Sequence, residues 1–514
     1  PQKNTLNLMA SENYPSQKVL FYSGSLLISK YSEGYPESRY YQGCKYIDKI
    51  ENSAIELVKK LFAAEHANVQ PHSGAQANQA VYLALLKPGE TILSLDLLAG
   101  GHLTHGAKVN FSGSIYQVYH YNLNPNTQKL DYEQIREKAR EVQPKLIIAG
   151  YSSYSLQIDF AKFREIADEV DAYLLADISH VAGLVIAGLF PNPAPYVDVI
   201  TFTTHKTLRG PRGAVILTTK ELGPKIDRAV FPGNQGGPAQ NIIAAKAQCF
   251  AEALQPKFKN YQKRVLENAK IMADYFCEKG VKVISGGTET HLLTINTKAS
   301  YNLTGKEAAE LLEEVGIVCN KQMIPYDTEK PSIASGIRLG SPALTTRGLE
   351  KKEFLQIAKI IDLILRNYKD RKITKSGKKE FKNYQKRVLE NAKIMADYFC
   401  EKGVKVISGG TETHLSTINT KASYNLTGKE ATELLEEVGI VCNKQMIPYD
   451  TEKPSIASGI RLGSPALTTR GLEKKEFLQI AKIIDLILRN YKDRKITKSG
   501  KKEVYYLSQK FPLF

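Results

Sequence analysis

The sequence predicts an α/β protein, with a large domain built on a mainly parallel β-sheet and a small α+β domain that occurs twice. Two observations lead to this prediction. Over residues 1–257 short apolar runs alternate with amphipathic segments, and from residue 258 to residue 503 one pattern of helices and strands is repeated. With 514 residues, of which 42% are hydrophobic and 24% are charged, the chain is long enough for two or more globular domains.

The large domain, residues 1–257, is expected to alternate strands with helices. Short apolar runs predict strands at Thr91–Leu95, Ile115–Tyr119, Lys145–Ala149, Tyr173–Ala176, Val197–Phe202 and Ala214–Thr218. Amphipathic segments predict helices at Tyr46–Leu61, Ala75–Leu86, Asp131–Glu141 and Phe160–Val170. Because short apolar strands that alternate with helices usually pair in parallel, we expect a buried sheet with helices on both faces.

A long internal repeat follows the large domain. Residues 258–380, the first repeat, recur as residues 381–503, the second repeat, with only two differences: Leu293 against Ser416, and Ala309 against Thr432. Solenoid repeats are shorter and more diverged. Either a recent in-frame duplication or an error in assembling the gene would produce such identity.

Each repeat is expected to fold as a small α+β domain. In the first repeat the pattern predicts helices at Tyr261–Lys279, Gly305–Val315 and Lys351–Tyr368, and strands at Val281–Ser285, Leu292–Asn296 and near Gly316–Asn320. Residues 504–514 form a C-terminal tail. Its apolar residues Val504, Leu507 and Phe511 recur at helical spacing, which predicts a short helix that docks on a neighbouring surface.

Charge and cysteine content exclude several functions. The net charge of +17 comes mainly from the repeats, each with 22 Lys and Arg residues against 15 Asp and Glu residues. Because basic residues are scattered among acids, we expect no nucleic-acid partner. No apolar stretch reaches the ~18–20 residues of a membrane span, so no membrane association is expected. The six cysteines lack metal-ligand spacing, which predicts a reduced, cytoplasmic protein without a metal site.

Two charged residues follow predicted strands of the sheet. Lys206 comes shortly after Val197–Phe202, where burial would lower the pKa of its amine and make it nucleophilic. Asp177 ends the preceding strand and could hold a protonated ring nitrogen of a cofactor. Taken alone, such a lysine is more often a surface residue, and such an aspartate is more often a helix cap.

Two segments could hold an anion. Ser73 and Gly74 open a predicted helix, where free N–H groups and the helix dipole attract a phosphate. Gly236 and Gly237 form a second possible backbone donor site. Taken alone, Ser73 would be an ordinary N-cap. An anion site, a strand-end aspartate and a strand-end lysine in this order are together typical of fold type I pyridoxal-phosphate enzymes.

Longer strings resemble one family, the serine hydroxymethyltransferases. They are Ala10–Tyr14, Lys30–Pro36, Arg39–Tyr41, Gly100–Gly106, Asp177–Leu184, Thr204–Leu208, Gly210–Gly213 and Ser335–Pro342. The strings extend over the chain as far as the first repeat. The resemblance implies a fold type I large domain with a mainly parallel seven-stranded sheet, pyridoxal 5'-phosphate as cofactor and tetrahydrofolate as co-substrate. It also implies reversible conversion of serine and tetrahydrofolate to glycine and 5,10-methylenetetrahydrofolate.

Residue roles are carried over from this resemblance. The implied catalytic residues are Lys206, which forms the Schiff base with the cofactor, and Glu33, His205 and Tyr41. The implied cofactor-binding residues are Lys206, Asp177, His180, His102, Ser73, Gly74, Ser152, Tyr31, Gly236 and Gly237. The implied substrate-binding residues are Ser11 and Arg338 for the amino acid, and Leu97, Gly101, His102 and Leu103 for folate. Tyr31, Glu33, Gly236 and Gly237 would come from the partner subunit of a homodimer, or of a dimer of dimers.

Some residues depart from the family pattern. Ala75 stands where many relatives have a second phosphate-contacting serine, and Gln322-Met323 and the loop 326–332 are unusual beside the folate site. We therefore expect weaker cofactor binding, and the sequence predicts folate binding less firmly than the pyridoxal chemistry. The alternatives are a folate-independent, aldolase-type pyridoxal-phosphate enzyme, or an inactive homologue whose assembly the repeat impairs. We expect Arg338 of the first repeat to complete the site, rather than its equivalent Arg461 in the second.

Overall fold

The computed structural model describes residues 5–511, without the side chains at 371–385, 466 and 469. The chain forms two compact units, Pro1–Arg371 and Lys372–Phe514. The first unit contains the predicted large domain together with nearly all of the first repeat. The second unit contains most of the second repeat and the C-terminal tail.

A seven-stranded sheet forms the centre of the first unit. In chain order its strands are β1 (His66–Asn68), β2 (Thr91–Leu95), β3 (Gln117–Tyr121), β4 (Leu146–Gly150), β5 (Tyr173–Asp177), β6 (Val199–Thr203) and β7 (Ala214–Thr218). Their order across the sheet is β1-β7-β6-β5-β4-β2-β3. Strand β7 is antiparallel to both of its neighbours, and the other pairs are parallel. The prediction of a mainly parallel sheet is confirmed.

Apolar cores cover both faces of this sheet. Adjacent residues of β4, Ile147 and Ile148, are fully buried and belong to different hydrophobic clusters. The same alternation occurs in β5, at Leu174 and Leu175. Because successive side chains of a strand point to opposite faces, a strand covered on both faces reads as a continuous apolar run.

Helices surround the sheet and continue into the first repeat. Those of the first unit are Gln17–Ser23, Lys45–Phe62, Gly74–Leu85, Phe111–Ile115, Tyr132–Val142, Phe160–Glu169, Ala182–Ile186, Gly223–Val230, Gln240–Ala253, Pro256–Glu278, Thr297–Tyr301, Gly305–Glu314, Pro342–Thr346 and Lys351–Arg366. Short 3-10 helices lie at Leu26–Ser29, Leu103–His105 and Ile284–Gly286.

The first repeat contains a small antiparallel sheet. Strands Leu292–Asn296 and Asn320–Gln322 flank the central strand Gly336–Gly340. A further short strand, Ile317–Val318, pairs in parallel with Leu6–Asn7 near the N-terminus. A separate two-stranded hairpin is formed by Gly34–Tyr35 and Ser38–Arg39.

Two sequence predictions need correction, and one strand was missed. Strand β1 was not predicted. The strand expected at Val281–Ser285 is absent: this segment contains a 3-10 helix and only a single bridge, from Val283 to Ile295. Ser285 has a φ of 62°, which a continuous strand cannot contain. The single strand expected near Gly316–Asn320 is instead two short strands, Ile317–Val318 and Asn320–Gln322.

The second unit repeats the small sheet. Strands Leu415–Asn419 and Asn443–Gln445 flank Gly459–Gly463 in the same antiparallel order. Its helices are Arg371–Glu401, Thr420–Tyr424, Gly428–Glu437, Pro465–Thr469, Lys474–Arg489 and Arg494–Lys510, with a 3-10 turn at Ile407–Gly409. None of the described helices combines the length and apolar character needed to cross a membrane.

Residues 504–510 of the C-terminal tail are helical, and this part of the chain packs on the second repeat. Leu507 is buried, and Val504 and Phe511 pack against the same hydrophobic cluster. The helix is longer than the tail, because it begins at Arg494 within the second repeat, where the side chain of Asp493 accepts from the backbone N–H of Lys495. The predicted docking helix is therefore present.

Candidate active site

A cavity of about 200 Å³ lies at the carboxyl ends of β5 and β6. Parallel sheets bind ligands at this edge, because loops and helix N-termini converge there. The lining residues are Gly74, Ala75, His102, His105, Tyr151, Ser152, Asp177, Ser179, His180, Thr203, His205 and Lys206. Residues far apart in the chain thus meet where the sequence predicted a site.

Lys206 lies just beyond β6 and contributes to the cavity wall. Burial lowers the pKa of its amine to about 8, Asp177 opposes this shift, and the positive charges of Arg338 and Arg212 add to it. A lysine with this pKa is partly unprotonated near neutral pH, so its amine can act as a nucleophile.

Asp177, the last residue of β5, is fixed by hydrogen bonds on both oxygens. Its Oδ2 lies 3.0 Å from Nε2 of His105 and accepts from Asn78 Nδ2 at 3.0 Å. Its Oδ1 accepts from Ser179 Oγ at 2.6 Å and from the backbone N–H of Ser179 at 3.1 Å. Burial alone would raise the pKa of Asp177, but His105 and Asn78 hold it well below its usual range. The site therefore contains a buried carboxylate that stays ionised.

The hydrogen bonds also set the orientation of both donors. Nδ1 of His105 accepts from the backbone N–H of His102 at 3.3 Å, so the ring proton stays on Nε2, facing Asp177. The Oδ1 of Asn78 accepts from Thr201 Oγ1 at 2.7 Å, which turns its NH₂ group toward the carboxylate.

Three further histidines lie around the cavity in neutral form. Burial, with His105, lowers the pKa of His102 to about 4, and burial with Lys206 lowers that of His205 to about 3. Burial also holds the pKa of His180 well below its ordinary value. Nδ1 of His180 lies 3.2 Å from Nε2 of His291, a residue of the first repeat.

The predicted anion site lies on the cavity wall. Ser73 is the N-cap of helix Gly74–Leu85, and its Oγ accepts from the backbone N–H of Gln76. Ser73 therefore acts as the N-cap of this helix. A Cβ on Gly74 would approach Cγ2 of Thr203 to 2.9 Å, so glycine lets the helix start close to β6. This arrangement presents the helix N-terminus to the cavity.

Arg338 connects the first repeat to the cavity edge. It is 8% exposed, and it donates from Nη1 to the carbonyl of Ser152 at 2.6 Å and from Nε to Asn320 Oδ1 at 3.2 Å. Burial lowers the pKa of Arg338 to about 10. Because this value is still well above neutral pH, the guanidinium stays charged. Its equivalent in the second repeat, Arg461, is exposed.

Five other predicted residues lie together, outside the cavity lining. A Cβ on Gly237 would be 2.9 Å from the Tyr31 ring, and one on Gly236 would be 3.2 Å from Glu33 Oε1. The Tyr31 and Tyr41 ring centroids are 5.0 Å apart. Within the described part of the chain, none of these five residues lines the cavity that contains Lys206.

The remaining predicted residues, Ser11, Leu97, Gly101 and Leu103, do not line the described cavity. Ser11 follows Ala10, which packs closely on Gly340. A Cβ added to Gly340 would lie 2.4 Å from the Cα of Ala10. Gly101 donates its backbone N–H to the carbonyl of Asp96, and a Cβ on it would lie 2.3 Å from the carbonyl oxygen of Leu95. Leu97 lies in the same turn, and Leu103 is 46% exposed.

Sequence reasoning assigned no role to His105, Asn78, Ser179 or His291. A signal existed for Asn78, since it is a polar residue on the apolar face of helix Gly74–Leu85, and it is 1% exposed. The bond from His105 to Asp177 joins residues 72 positions apart, so no local pattern could show it.

The buried lysine, the ionised carboxylate and the helix N-terminus at one edge of a parallel sheet define a fold type I pyridoxal-phosphate-dependent enzyme. A family model described as serine hydroxymethyltransferase matches residues 1–361 and 371–484. The chain belongs to the serine hydroxymethyltransferase family. Members of this family depend on pyridoxal phosphate, use tetrahydrofolate, bind serine and glycine, and are typically oligomeric.

Proposed function

We propose that this chain interconverts serine and glycine, passing the one-carbon unit to and from tetrahydrofolate, with pyridoxal 5'-phosphate as cofactor. The observation that carries the proposal is the meeting of Lys206, Asp177 and the helix N-terminus at Gly74 around one cavity. Family membership favours this reaction over other pyridoxal-phosphate chemistry.

The cavity fits the cofactor. Lys206 supplies a buried amine for its aldehyde, and Asp177 an ionised carboxylate for its ring nitrogen. The Nδ1 atom of His205 is buried and has no hydrogen-bond partner among the described residues, as expected for a group that awaits a ligand. Bound pyridoxal phosphate supplies an electron sink for negative charge that develops on the amino-acid Cα.

This chain's own residues would bind and orient the reactants. Asp177 would hold positive charge on the ring nitrogen, and His105 and Asn78 keep that carboxylate in place. Gly74 and His102 both line the cavity. The N–H groups at Gly74 would hold the phosphate, and the resemblance to the family implies that the ring of His102 would contact the cofactor ring. Arg338 would exchange its contact with the Ser152 carbonyl for the carboxylate of serine, which suits a planar guanidinium.

The remaining roles need a second subunit. Glu33, which would handle the proton of the serine hydroxyl, lies with Tyr31, Tyr41 and Gly236-Gly237 outside the cavity of its own chain. Large apolar side chains nearby in the sequence are exposed: Phe21 (71%), Leu26 (89%), Ile28 (73%), Tyr40 (76%) and Tyr46 (72%). Monomeric proteins rarely expose so many, so we infer a homodimer in which each chain completes the partner's site.

Folate specificity is part of the proposal. His102, within the segment Leu97–Leu103, lines the cavity. The resemblance to the family implies that this segment, together with Gln322-Met323 of the first repeat, would bind folate. A folate-independent aldolase would cleave serine at one rate with or without tetrahydrofolate.

The test is serine cleavage by purified protein with added pyridoxal phosphate. Glycine formation should depend on tetrahydrofolate, and Lys206→Ala should abolish it while the far-ultraviolet circular dichroism spectrum stays unchanged. Lys225→Ala, which removes an exposed lysine, is the matched control and should keep full activity. Equal cleavage without tetrahydrofolate would show an aldolase, and borohydride trapping of the cofactor on another lysine would refute the role of Lys206.

A further inference from the structure

Lys246 is a buried lysine outside the cavity lining. It lies in helix Gln240–Ala253 and is 1% exposed, which is rare for lysine unless all of its donors are paired. Its Nζ donates to three backbone carbonyls, those of Val69 at 2.6 Å, Ala214 at 2.8 Å and Pro71 at 3.1 Å. Three acceptors match the three protons of an ammonium group, whereas a neutral amine has only two.

These carbonyls belong to the backbone that leads into the cofactor site. Val69 and Pro71 lie between β1 and helix Gly74–Leu85, and Ala214 is the first residue of β7. The side chain of Gln235 binds the two other residues of this segment. It donates to the carbonyl of Gln70 at 3.1 Å and accepts from the backbone N–H of His72 at 3.1 Å. The four residues before Ser73 are therefore held by two side chains.

The packing around Lys246 leaves little room for displacement. A Cβ on Gly213 would lie 2.6 Å from Cε of Lys246 and 3.0 Å from its Nζ. Gly213 therefore gives the lysine side chain its space next to β7, and a larger residue there would press on the ammonium.

We propose that Lys246 is a positioning residue for the phosphate group of pyridoxal phosphate, because it fixes the 69–71 backbone and thereby the N–H groups of Gly74 and Ala75. The inference rests on the proposed function. The inference extends that function to a residue outside the site, since Lys246 lines no part of the described cavity and would contact neither cofactor nor substrate. Burial lowers the pKa of Lys246 to about 7 and Glu51 opposes this shift, so the ammonium depends on its three acceptors.

The test compares two ligands that differ only in the phosphate. Affinities of apo-protein for pyridoxal phosphate and for pyridoxal are measured by absorbance titration, in wild type and in Lys246→Met. Loss of oriented donors to an anion should weaken pyridoxal phosphate about ten- to hundred-fold. Pyridoxal affinity should change less than about threefold, since it lacks the group that Lys246 positions.

Asn268→Leu is the matched control. Asn268 is as buried as Lys246, and it donates to Leu349 O and Thr345 Oγ1 within the first repeat, so its loss should leave the ratio of the two affinities unchanged. If Lys246→Met fails to fold, Gly213→Ala keeps the lysine but displaces it, and should give a smaller selective loss of pyridoxal phosphate.

Equal weakening of both ligands, or of neither, would overturn the role of Lys246 while leaving the proposed function intact. Failure of the wild type to bind pyridoxal phosphate would instead refute the proposed function and this inference with it. Selective loss in both Lys246→Met and Gly213→Ala would establish the role.

Discussion

Arg338 donates from Nη1 to the carbonyl of Ser152 at 2.6 Å, so a residue of the first repeat reaches the edge of the cavity that contains Lys206. The two residues are 186 positions apart in the chain. Arg338 also lowers the pKa of Lys206. In the second repeat, the equivalent Arg461 is exposed.

A pair of single substitutions tests which repeat supplies the working arginine. Arg338→Ala should raise the KM for serine by about 100-fold or more, because a buried charged partner of the carboxylate is lost. Arg461→Ala should change it less than about twofold, as expected for an exposed arginine. Steady-state kinetics with purified homogeneous variants measure both effects. The reverse pattern would show that the second repeat completes the site, and partial loss in both would show that the repeats compete.

The lowered pKa of Lys206 predicts how cofactor uptake depends on pH. Only the unprotonated amine attacks an aldehyde, so the rate at which apo-protein takes up pyridoxal phosphate should rise with pH and level off above about pH 8. The positive charge of Arg338 contributes to the shift, so Arg338→Ala should move the midpoint upward. Stopped-flow absorbance at a series of pH values measures the rate. A midpoint near 10.5, the ordinary lysine value, would contradict the burial argument.

Ala75 offers a gain-of-function prediction. It lines the cavity beside Gly74, and a serine there would add one hydroxyl donor for the phosphate. Ala75→Ser should therefore tighten pyridoxal phosphate binding by about ten- to a hundredfold, the effect of one added hydrogen bond to a charged group. Ala84→Ser, near the other end of the same helix, should leave the affinity unchanged. Unchanged affinity in Ala75→Ser would place the phosphate away from this helix.

Much of the sheet could be predicted from sequence because its strands are buried on both faces. Strands β2 and β7 match the predicted bounds, and the other predicted strands differ by one or two residues at their ends. Strand β1, His66–Asn68, could not be found this way, since it is three residues long and two of them are polar. A strand was wrongly predicted at Val281–Ser285 because this segment contains β-branched residues. Ser285 adopts a positive φ, which interrupts a strand and cannot be inferred from the pattern of apolar residues.

The site was less accessible to sequence reasoning than the sheet. Lys206 and Asp177 follow strands and could be proposed from the pattern, whereas their chemistry depends on partners such as His105 and Asn78. Those partners are brought together by tertiary packing, which spacing along the chain does not encode. Lys246 is a similar case, because only its burial and its three carbonyl acceptors distinguish it from a surface lysine.

The cluster of Glu33 with Gly236 predicts complementation between inactive subunits. Lys206→Ala and Glu33→Gln chains should each be inactive as homodimers, and mixing them should restore up to about a quarter of wild-type activity, in hybrids with one intact site. Activity is measured after exchange in mild denaturant. The control mixes Lys206→Ala with Arg338→Ala chains. Because both residues serve the cavity of their own chain, each of the two sites in that hybrid dimer carries one substitution and stays defective. No recovery after exchange would argue against a shared site.

Because the C-terminal helix packs on the hydrophobic cluster of the second repeat, we expect the tail to stabilise this repeat alone. In the first repeat, Arg347 donates from Nη1 to the carbonyl of Thr5 at 2.6 Å, next to the paired strands Leu6–Asn7 and Ile317–Val318. The equivalent Arg470 donates from Nε to the carbonyl of Phe511 at 2.9 Å. One arginine position thus binds the N-terminal segment in the first repeat and the C-terminal tail in the second.

Leu507→Ala should therefore destabilise the second unit by about 2–5 kcal/mol, the usual cost of removing a buried leucine side chain. Hydrogen exchange should increase in helix Lys474–Arg489, whose residues share a hydrophobic cluster with Leu507, while serine cleavage stays unchanged. Tyr505→Ala, on the same helix but 66% exposed, should cost less than about 0.5 kcal/mol. Lower activity and weaker serine binding in Leu507→Ala would contradict this prediction. They would show that the tail also affects the site that contains Arg338, and not the second repeat alone.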